Sequence, residues 1–239
     1  MFSHKGKTRT NFHNLELASL LSFVAGLVNV VGFMAVRKLT TNVTGHFAYF
    51  IDEAFQMNFS GAFHIALFIF FFFLGAFCSN FMVELYSRFR ESMIYVVPTV
   101  AEALILLILA FFGSYIASYQ PDYVAFCLLF AMGMQNSLVT SISHSVVRTT
   151  HLTGLFTDMG IEFSQLFFYH HKENRRKLIR SIRLRLTIIW PFFFGGVAGG
   201  ILYPYFGMKT LLLGSVVLIG GLVFDFIKIQ MLLRKRRSA

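Results

Sequence analysis

Two short stretches of this 239-residue chain match one another in residues able to bind a ligand. Thr40-Thr41-Asn42-Val43-Thr44-Gly45-His46-Phe47 aligns without gaps on Thr149-Thr150-His151-Leu152-Thr153-Gly154-Leu155-Phe156, and the register holds to Glu53 and Glu162, giving six identities in the window 40–53. Threonine and asparagine side chains accept hydrogen bonds from the free N–H groups that open a helix. Thr41, Asn42 and Thr44 in one copy, and Thr150 and Thr153 in the other, are therefore expected as helix caps. Gly45 and Gly154 let a ligand or a neighbouring backbone come close. The positive end of the helix dipole at each start favours a small polar or anionic solute. The competing reading is structural: each element is a cap packed on its neighbour, with glycine serving tight helix contact.

Other polar residues stand inside apolar runs, where each is costly unless paired or turned toward water. Asn29 and Asn136 occupy matching places, because Ala25-Gly26-Leu27-Val28-Asn29 resembles Met132-Gly133-Met134-Gln135-Asn136. Gln135, Ser137, Thr140, Ser141, Ser143 and His144 make the second of these runs the more polar. The candidate solute site is thus Asn29, Thr41, Thr44, Gly45, His46, Gln135, Asn136, Thr150, Thr153 and Gly154. Glu53, Glu102, Asp158 and Glu162 are candidates for proton coupling, and Asp225 is expected to pair with Lys228. Imidazole and carboxylate suit divalent cations, so His46, His64, His144 and His151 with Asp158 and Glu162 keep a metal-ion carrier open as a minor alternative. Their spacing specifies no metal site, and none is assigned. No nucleophile elbow, phosphate-binding glycine loop or paired-histidine zinc helix is present. Neither catalysis nor a cofactor is expected.

Residues so placed need a membrane to position them. The chain is 56% hydrophobic, 17% aromatic and 13% charged, with 31 Phe, which leaves too little polar surface to coat a water-soluble fold. Nucleic-acid binding, which a net charge of +10 could suggest, would need a basic face on a soluble module. Cys78 and Cys127 lie within apolar runs and suggest no disulfide. Six runs reach the length of about 20 residues that crosses a hydrocarbon core of about 30 Å: Leu17 to Val36, Ala62 to Leu85, Met93 to Ala117, Tyr123 to Val147, Leu186 to Phe206 and Leu211 to Leu233. None alternates with period two, so helices rather than barrel strands are expected. The first run lacks a small-residue cleavage site and reads as a retained helix. Two shorter segments, Thr44 to Phe59 and Thr153 to Tyr169, carry acids and follow the threonine stretches.

Lys and Arg are retained on the cytoplasmic side. With six crossings and both termini inside, the cytoplasm receives Lys5, Lys7, Arg9, Arg88, Arg90, Arg148, the seven basic residues between Lys172 and Arg185, and the terminal run Arg234-Lys235-Arg236-Arg237. Eight crossings would move Arg88, Arg90 and Arg148 outside. The 172–185 cluster reads as a topology anchor or, alternatively, as a docking surface for a partner. The expected organisation is a single membrane domain, 1–239, with repeat one at 15–117, repeat two at 123–233 and a basic cytoplasmic loop at 170–185. Three crossings per repeat make the halves inverted, and such architectures bind solutes near the midplane between broken helices. Expected partners are the lipid bilayer, an unidentified small solute and, as an option, further copies of the chain, with no nucleic acid. The rival to a secondary carrier is a non-transporting scaffold that uses the basic loop.

Gly26 to Phe33 with a polar residue at 29, Thr44-Gly45, Gly133-x-Gln135-Asn136 and Arg148-Thr149-Thr150-His151-Leu152-Thr153-Gly154 with Asp158 together resemble the YoaK family of bacterial membrane proteins. The resemblance runs from about residue 15 to 233. It implies a six-span protein of the bacterial inner membrane and supplies no substrate. Members commonly show Asp where this chain has Asn29, and Asn where it has His46.

Overall fold

A computed structural model describes residues 11–89, 94–143, 150–169 and 171–237. The expected interior residue His144, with Arg90, Arg148 and the amino-terminal Lys5, Lys7 and Arg9, lies outside the described residues. So do the side chains of Ser143 and of the terminal basic run. The described chain is all helical, with no strand: α1 (Asn11–Val36), α2 (Thr44–Phe55), α3 (Phe59–Phe89), α4 (Val96–Tyr119), α5 (Pro121–Ser143), α6 (Leu152–Phe168), α7 (Lys172–Phe206), a 3-10 turn (Gly207–Thr210) and α8 (Leu211–Arg237).

The breaks have local causes. Arg37 stops α1 in a left-handed conformation, φ 55°, with its N–H on the Phe33 carbonyl at 2.9 Å. Met57, φ 58°, turns the chain between α2 and α3, and Asn58 then donates its N–H to the Glu53 carbonyl at 3.0 Å. Pro121 opens α5 at the position where a missing N–H costs nothing. Gly207, φ 56°, caps α7 and opens the 3-10 turn that leads into α8. The basic stretch expected as a loop is instead the first turns of α7. Lys, Arg, Leu and Ile without an interrupting Gly or Pro form helix readily, so the charge cluster extends α7 rather than ending it.

Among the described residues five helical segments are long and apolar enough to cross a bilayer and mark the chain as a membrane protein: Ser19–Val36, Phe59–Phe89, Val96–Tyr119, Pro121–Ser141 and Lys172–Lys228. The fifth contains both α7 and α8. α5 is the most enclosed, with 67% of its apolar window buried against 17% for α3, which puts α5 at the centre and α3 at the lipid face. The side-chain distribution is that of a protein in lipid: Phe70, Phe73, Phe77 and Phe81 of α3 and Phe193 and Phe194 of α7 are exposed, while Ala, Val, Leu and Gly fill the interior.

α1 packs on α7, and α3 packs on α5. Each contact is closed by two glycines. A Cβ at Gly26 of α1 would strike the Phe192 carbonyl of α7, and one at Gly195 of α7 would strike the Phe23 carbonyl of α1. Likewise a Cβ at Gly75 of α3 would strike the Phe130 carbonyl of α5, and one at Gly133 of α5 the Phe72 carbonyl of α3. Without a hydrophobic drive between helices in lipid, such backbone proximity is what holds them. Gly133→Ala is therefore expected to lower stability by about 1–3 kcal/mol through overpacking. Gly160→Ala, whose Cβ meets nothing within 4 Å, is expected to leave stability unchanged or slightly raised. Thermal midpoints of the two variants in one detergent check the contrast. At the far end of the bundle Lys228 Nζ lies 3.1 Å from Glu16 Oε1 and ties α8 to α1.

Candidate functional site

After α1 the chain does not leave the molecule. Thr40 and Thr41 are buried and fold back along α1: Thr40 Oγ1 donates to the Val28 carbonyl at 3.4 Å, and Thr41 Oγ1 donates to Asn29 Oδ1 at 2.7 Å. The second copy makes the corresponding bond. Thr150 Oγ1 lies 2.7 Å from Asn136 Nδ2 and 2.9 Å from Asn136 Oδ1. Each asparagine stands seven residues before the last residue of its helix, Val36 or Ser143, or about 10 Å along the axis. The starts of α2 and α6 are thereby drawn to that depth.

These bonds correct the expected capping. Val43 and His151 occupy the cap positions, and neither makes a side-chain cap. Among the caps expected from sequence, only Asn42 Oδ1 faces a backbone donor, Gly45 N–H, at a long 3.5 Å. The Thr41 and Thr150 hydroxyls go to the asparagines instead. The first intrahelical bonds run from Phe47 N–H to the Val43 carbonyl and from Leu155 N–H to the His151 carbonyl. The N–H groups ahead of them face out of each helix start.

One cavity of about 250 Å³ draws its lining from both threonine stretches: Thr41, Asn42, Val43 and Thr44 from the first, Thr150 and His151 from the second, Asn136 and Thr140 from α5, and Phe72 from α3. None of these residues is acidic. The lining combines hydroxyls, amides and an imidazole with Val43 and a phenyl ring, groups able to hold a small polar molecule by hydrogen bonds.

Of the residues expected in the site, Thr41, Thr44, Asn136 and Thr150 line this cavity. Asn29 stands behind it, held by Thr41. Gly45 and Gly154 lie in the first turns of α2 and α6; a Cβ at Gly45 would meet Leu39 Cδ1 at 2.5 Å, and one at Gly154 would strike the His151 ring. Thr153 is exposed on α6. Gln135 is fully buried, and its amide has no hydrogen-bond partner among the described residues. His46 is buried as well: its Nε2 lies 2.7 Å from the Leu39 carbonyl, which makes it the donor, and its ring leans on Phe68 with centroids 5.1 Å apart. Burial, helped by the Lys38 charge and opposed by the Leu39 bond, pushes His46 below the ordinary histidine range. It acts as a neutral strut for the 39–46 turn.

The acids separate into different surroundings. Glu53 Oε2 accepts from Asn58 Nδ2 at 2.6 Å on the surface. Its counterpart Glu162 accepts from Ser181 Oγ at 2.6 Å and from Arg185 Nε and Nη2 at 2.9 and 3.0 Å, while Asp158 accepts from Arg185 Nη1 at 2.9 Å. Burial pushes the Glu162 carboxyl up, but the Arg185 and Ser181 bonds outweigh it and hold the group below the usual carboxylate range. Glu102 is buried within α4 and does not line the cavity. The described residues hold no cluster of three or more metal-binding side chains, so His46, His64, His151, Asp158 and Glu162 are not gathered around one point.

Phe72, Val43 and the ion-pairing role of Arg185 escaped the sequence reading. The Phe72 wall was masked by the phenylalanine run of α3, and Arg185 by the basic cluster around it. No curated protein and no solved structure matches the chain significantly. A family model described as a protein of unknown function (DUF1275) matches residues 17–224, from the second turn of α1 to the middle of α8, and the chain therefore belongs to the DUF1275 family.

Proposed function

We propose that this protein is a secondary-carrier-like membrane protein that binds a small polar or anionic solute in the cavity between the starts of α2 and α6. The observation that carries the reading is that single cavity, lined from two matching threonine stretches and bearing no acidic residue. Two helix starts aimed at one space supply N–H donors and positive dipole ends without a charged side chain, which suits an anionic or strongly polar group.

The chain in this reading is two inverted halves, 15–117 and 123–233, with α1, α2, α3 and α4 equivalent to α5, α6, α7 and α8. Support comes from contacts that recur in exchanged form. Gly26 on Phe192 matches Gly133 on Phe72, Gly75 on Phe130 matches Gly195 on Phe23, and Thr41 with Asn29 matches Thr150 with Asn136. The fifth apolar segment spans 57 residues, about 85 Å as continuous helix, and counts as two crossings through α7 and α8. The total is then six, with the basic start of α7 and both termini on the cytoplasmic side of a bacterial inner membrane. α2 and α6 are half helices in this arrangement, and their exposed Phe47, Tyr49, Phe55, Phe156, Phe167 and Phe168 contact lipid. The YoaK-like motif pattern agrees with this placement.

A second reading, a docking scaffold, draws on the exposed Lys172, Arg175, Arg176, Lys177 and Arg180 at the start of α7. One experiment separates the two: thermal unfolding of the purified protein against a panel of small anions and polar metabolites. A solute that binds only the folded form at a hundredfold excess over its Kd stabilises it by about 2.7 kcal/mol. A carrier gives such a hit, and the hit is lost in Asn136→Leu. If no solute shifts the midpoint, while neutralising the α7 basic residues strips a bound partner from correctly inserted protein, the scaffold reading replaces it.

A further inference from the structure

Glu102 has no accessible surface, and neither of its carboxyl oxygens has a hydrogen-bond partner among the described residues. Its turn of α4 is pressed against α8: the next carbonyl, Ala103, accepts from Ser215 Oγ at 2.9 Å. The neighbouring Gly214 leaves a gap so narrow that a Cβ there would meet Leu27 of α1 at 3.2 Å, Leu106 of α4 at 3.3 Å and Val24 of α1 at 3.7 Å. The α4–α8 contact beside it is therefore made of apolar side chains and a hydroxyl already bonded to a backbone carbonyl.

Among the described residues no counter-charge reaches it. The elements packed on α4 carry Glu16 on α1; His64, Cys78, Glu84, Tyr86 and Arg88 on α3; Asp122, Tyr123 and Cys127 on α5; Lys209 in the 3-10 turn; and Asp225 and Lys228 on α8. None of them forms a hydrogen bond or ion pair with Glu102, and neither does Tyr95 at the start of α4. Glu16 and Lys228 are paired with each other, and Asp225 lies ten residues beyond Ser215, about 15 Å along α8. An ionised carboxylate here would be an uncompensated charge in the bundle interior, whereas a neutral carboxyl is merely unsatisfied. A leucine would pack without that cost. What a carboxyl adds at such a place is the ability to take up and release a proton.

We propose that Glu102 is a proton-binding site, loaded in this conformation and discharged when α4 and α8 part and water reaches it. On discharge the O–H bond breaks, its electrons stay on the carboxylate, and the proton passes to water. The further step, that this proton is the coupling ion of solute movement, rests on the carrier reading above.

The test uses the full-length protein in phospholipid vesicles without any solute. Dicyclohexylcarbodiimide, a lipid-soluble electrophile, takes the proton of a carboxyl in apolar surroundings onto its nitrogen while the carboxyl oxygen adds to its central carbon, so peptide mass mapping is expected to find the adduct on Glu102 at neutral pH and none in Glu102→Gln. In detergent, above the ordinary glutamate range unfolding releases the proton that the folded protein holds, so raising the pH from about 5 to about 8 favours the unfolded chain. The wild-type midpoint should therefore fall relative to Glu102→Gln, by about 4 °C or more. An unlabelled Glu102, or parallel pH curves for the two folded proteins, overturns the proposal. If Glu102→Gln does not fold, labelling of the wild type alone decides. Because neither readout involves solute, an empty solute screen leaves them standing, and an unlabelled Glu102 in a solute-binding protein removes the proton site alone.

Discussion

Gly154→Leu is expected to abolish solute-induced stabilisation, from about 2.7 kcal/mol at a hundredfold excess over Kd to near zero, in a protein that still inserts and unfolds cooperatively. The reason lies in one turn of helix. A side chain at 154 begins where the His151 ring now sits, and that ring is part of the cavity wall. A leucine pushes it into a space of about 250 Å³ and turns the α6 start away from the solute. Gly45→Leu presses on Leu39 instead, and the Leu39 carbonyl holds His46. Its effect is therefore expected to arrive through a displaced 39–46 turn and to match that of Gly154→Leu. Gly160→Leu, with open space around its Cβ, is the control for adding leucine to α6. Uptake of the screened solute into vesicles, with thermal midpoints of the unliganded variants, checks all three. Normal uptake in both Gly45→Leu and Gly154→Leu would remove the proposed site.

The membrane class and the helix positions were legible because bilayer thickness converts composition into length. Apolar runs of about 20 residues have few alternatives to helix in hydrocarbon. The Gly26/Gly133 correspondence was also visible as a sequence match, and the folded chain uses both glycines where backbones touch, with Gly75 and Gly195 in the same role. Less legible was what a hydroxyl does once the chain turns back. Near Thr41 and Thr150 the sequence shows a free N–H two or three residues on. The side-chain amides of Asn29 and Asn136, 12 and 14 residues back, become neighbours only after folding. A half-buried side-chain amide held at a fixed place on α1 or α5 gives the hydroxyl a charge-free, well-placed partner, whereas the helix start opens on a polar cavity, so the long-range bond wins. The start of α7 was misread for a related reason. Charge density marks which side of the bilayer a segment occupies but carries no information on whether it coils or continues a helix.

Arg185→Ala is expected to lower stability by about 1–3 kcal/mol, because one guanidinium holds both acids of α6 onto α7. The Glu162 arm dominates. Its side chains are 12% and 21% exposed, whereas Asp158 is 52% exposed and its share is screened by solvent. Arg185→Ala also strips Glu162 of its strongest donor and leaves a carboxylate half-buried with only Ser181 beside it. Glu162→Gln in the same background should recover part of the loss, and the double-mutant cycle should return a coupling energy of the same order. The pH dependence has a definite sign. Glu162 is held below its ordinary range when folded, so the unfolded chain takes up the proton first as pH falls. The contribution is complete above about pH 4.5 and drains away below it in the wild type, and is absent in Arg185→Ala. Hydrogen exchange across Leu152–Phe168 provides the local readout. α6 makes few contacts beyond α7, and the α6 start carries Thr150 and His151 into the cavity. Loss of the Arg185 clasp should therefore raise exchange along α6 and weaken solute binding together. Faster exchange with unchanged solute binding would separate α6 from the site.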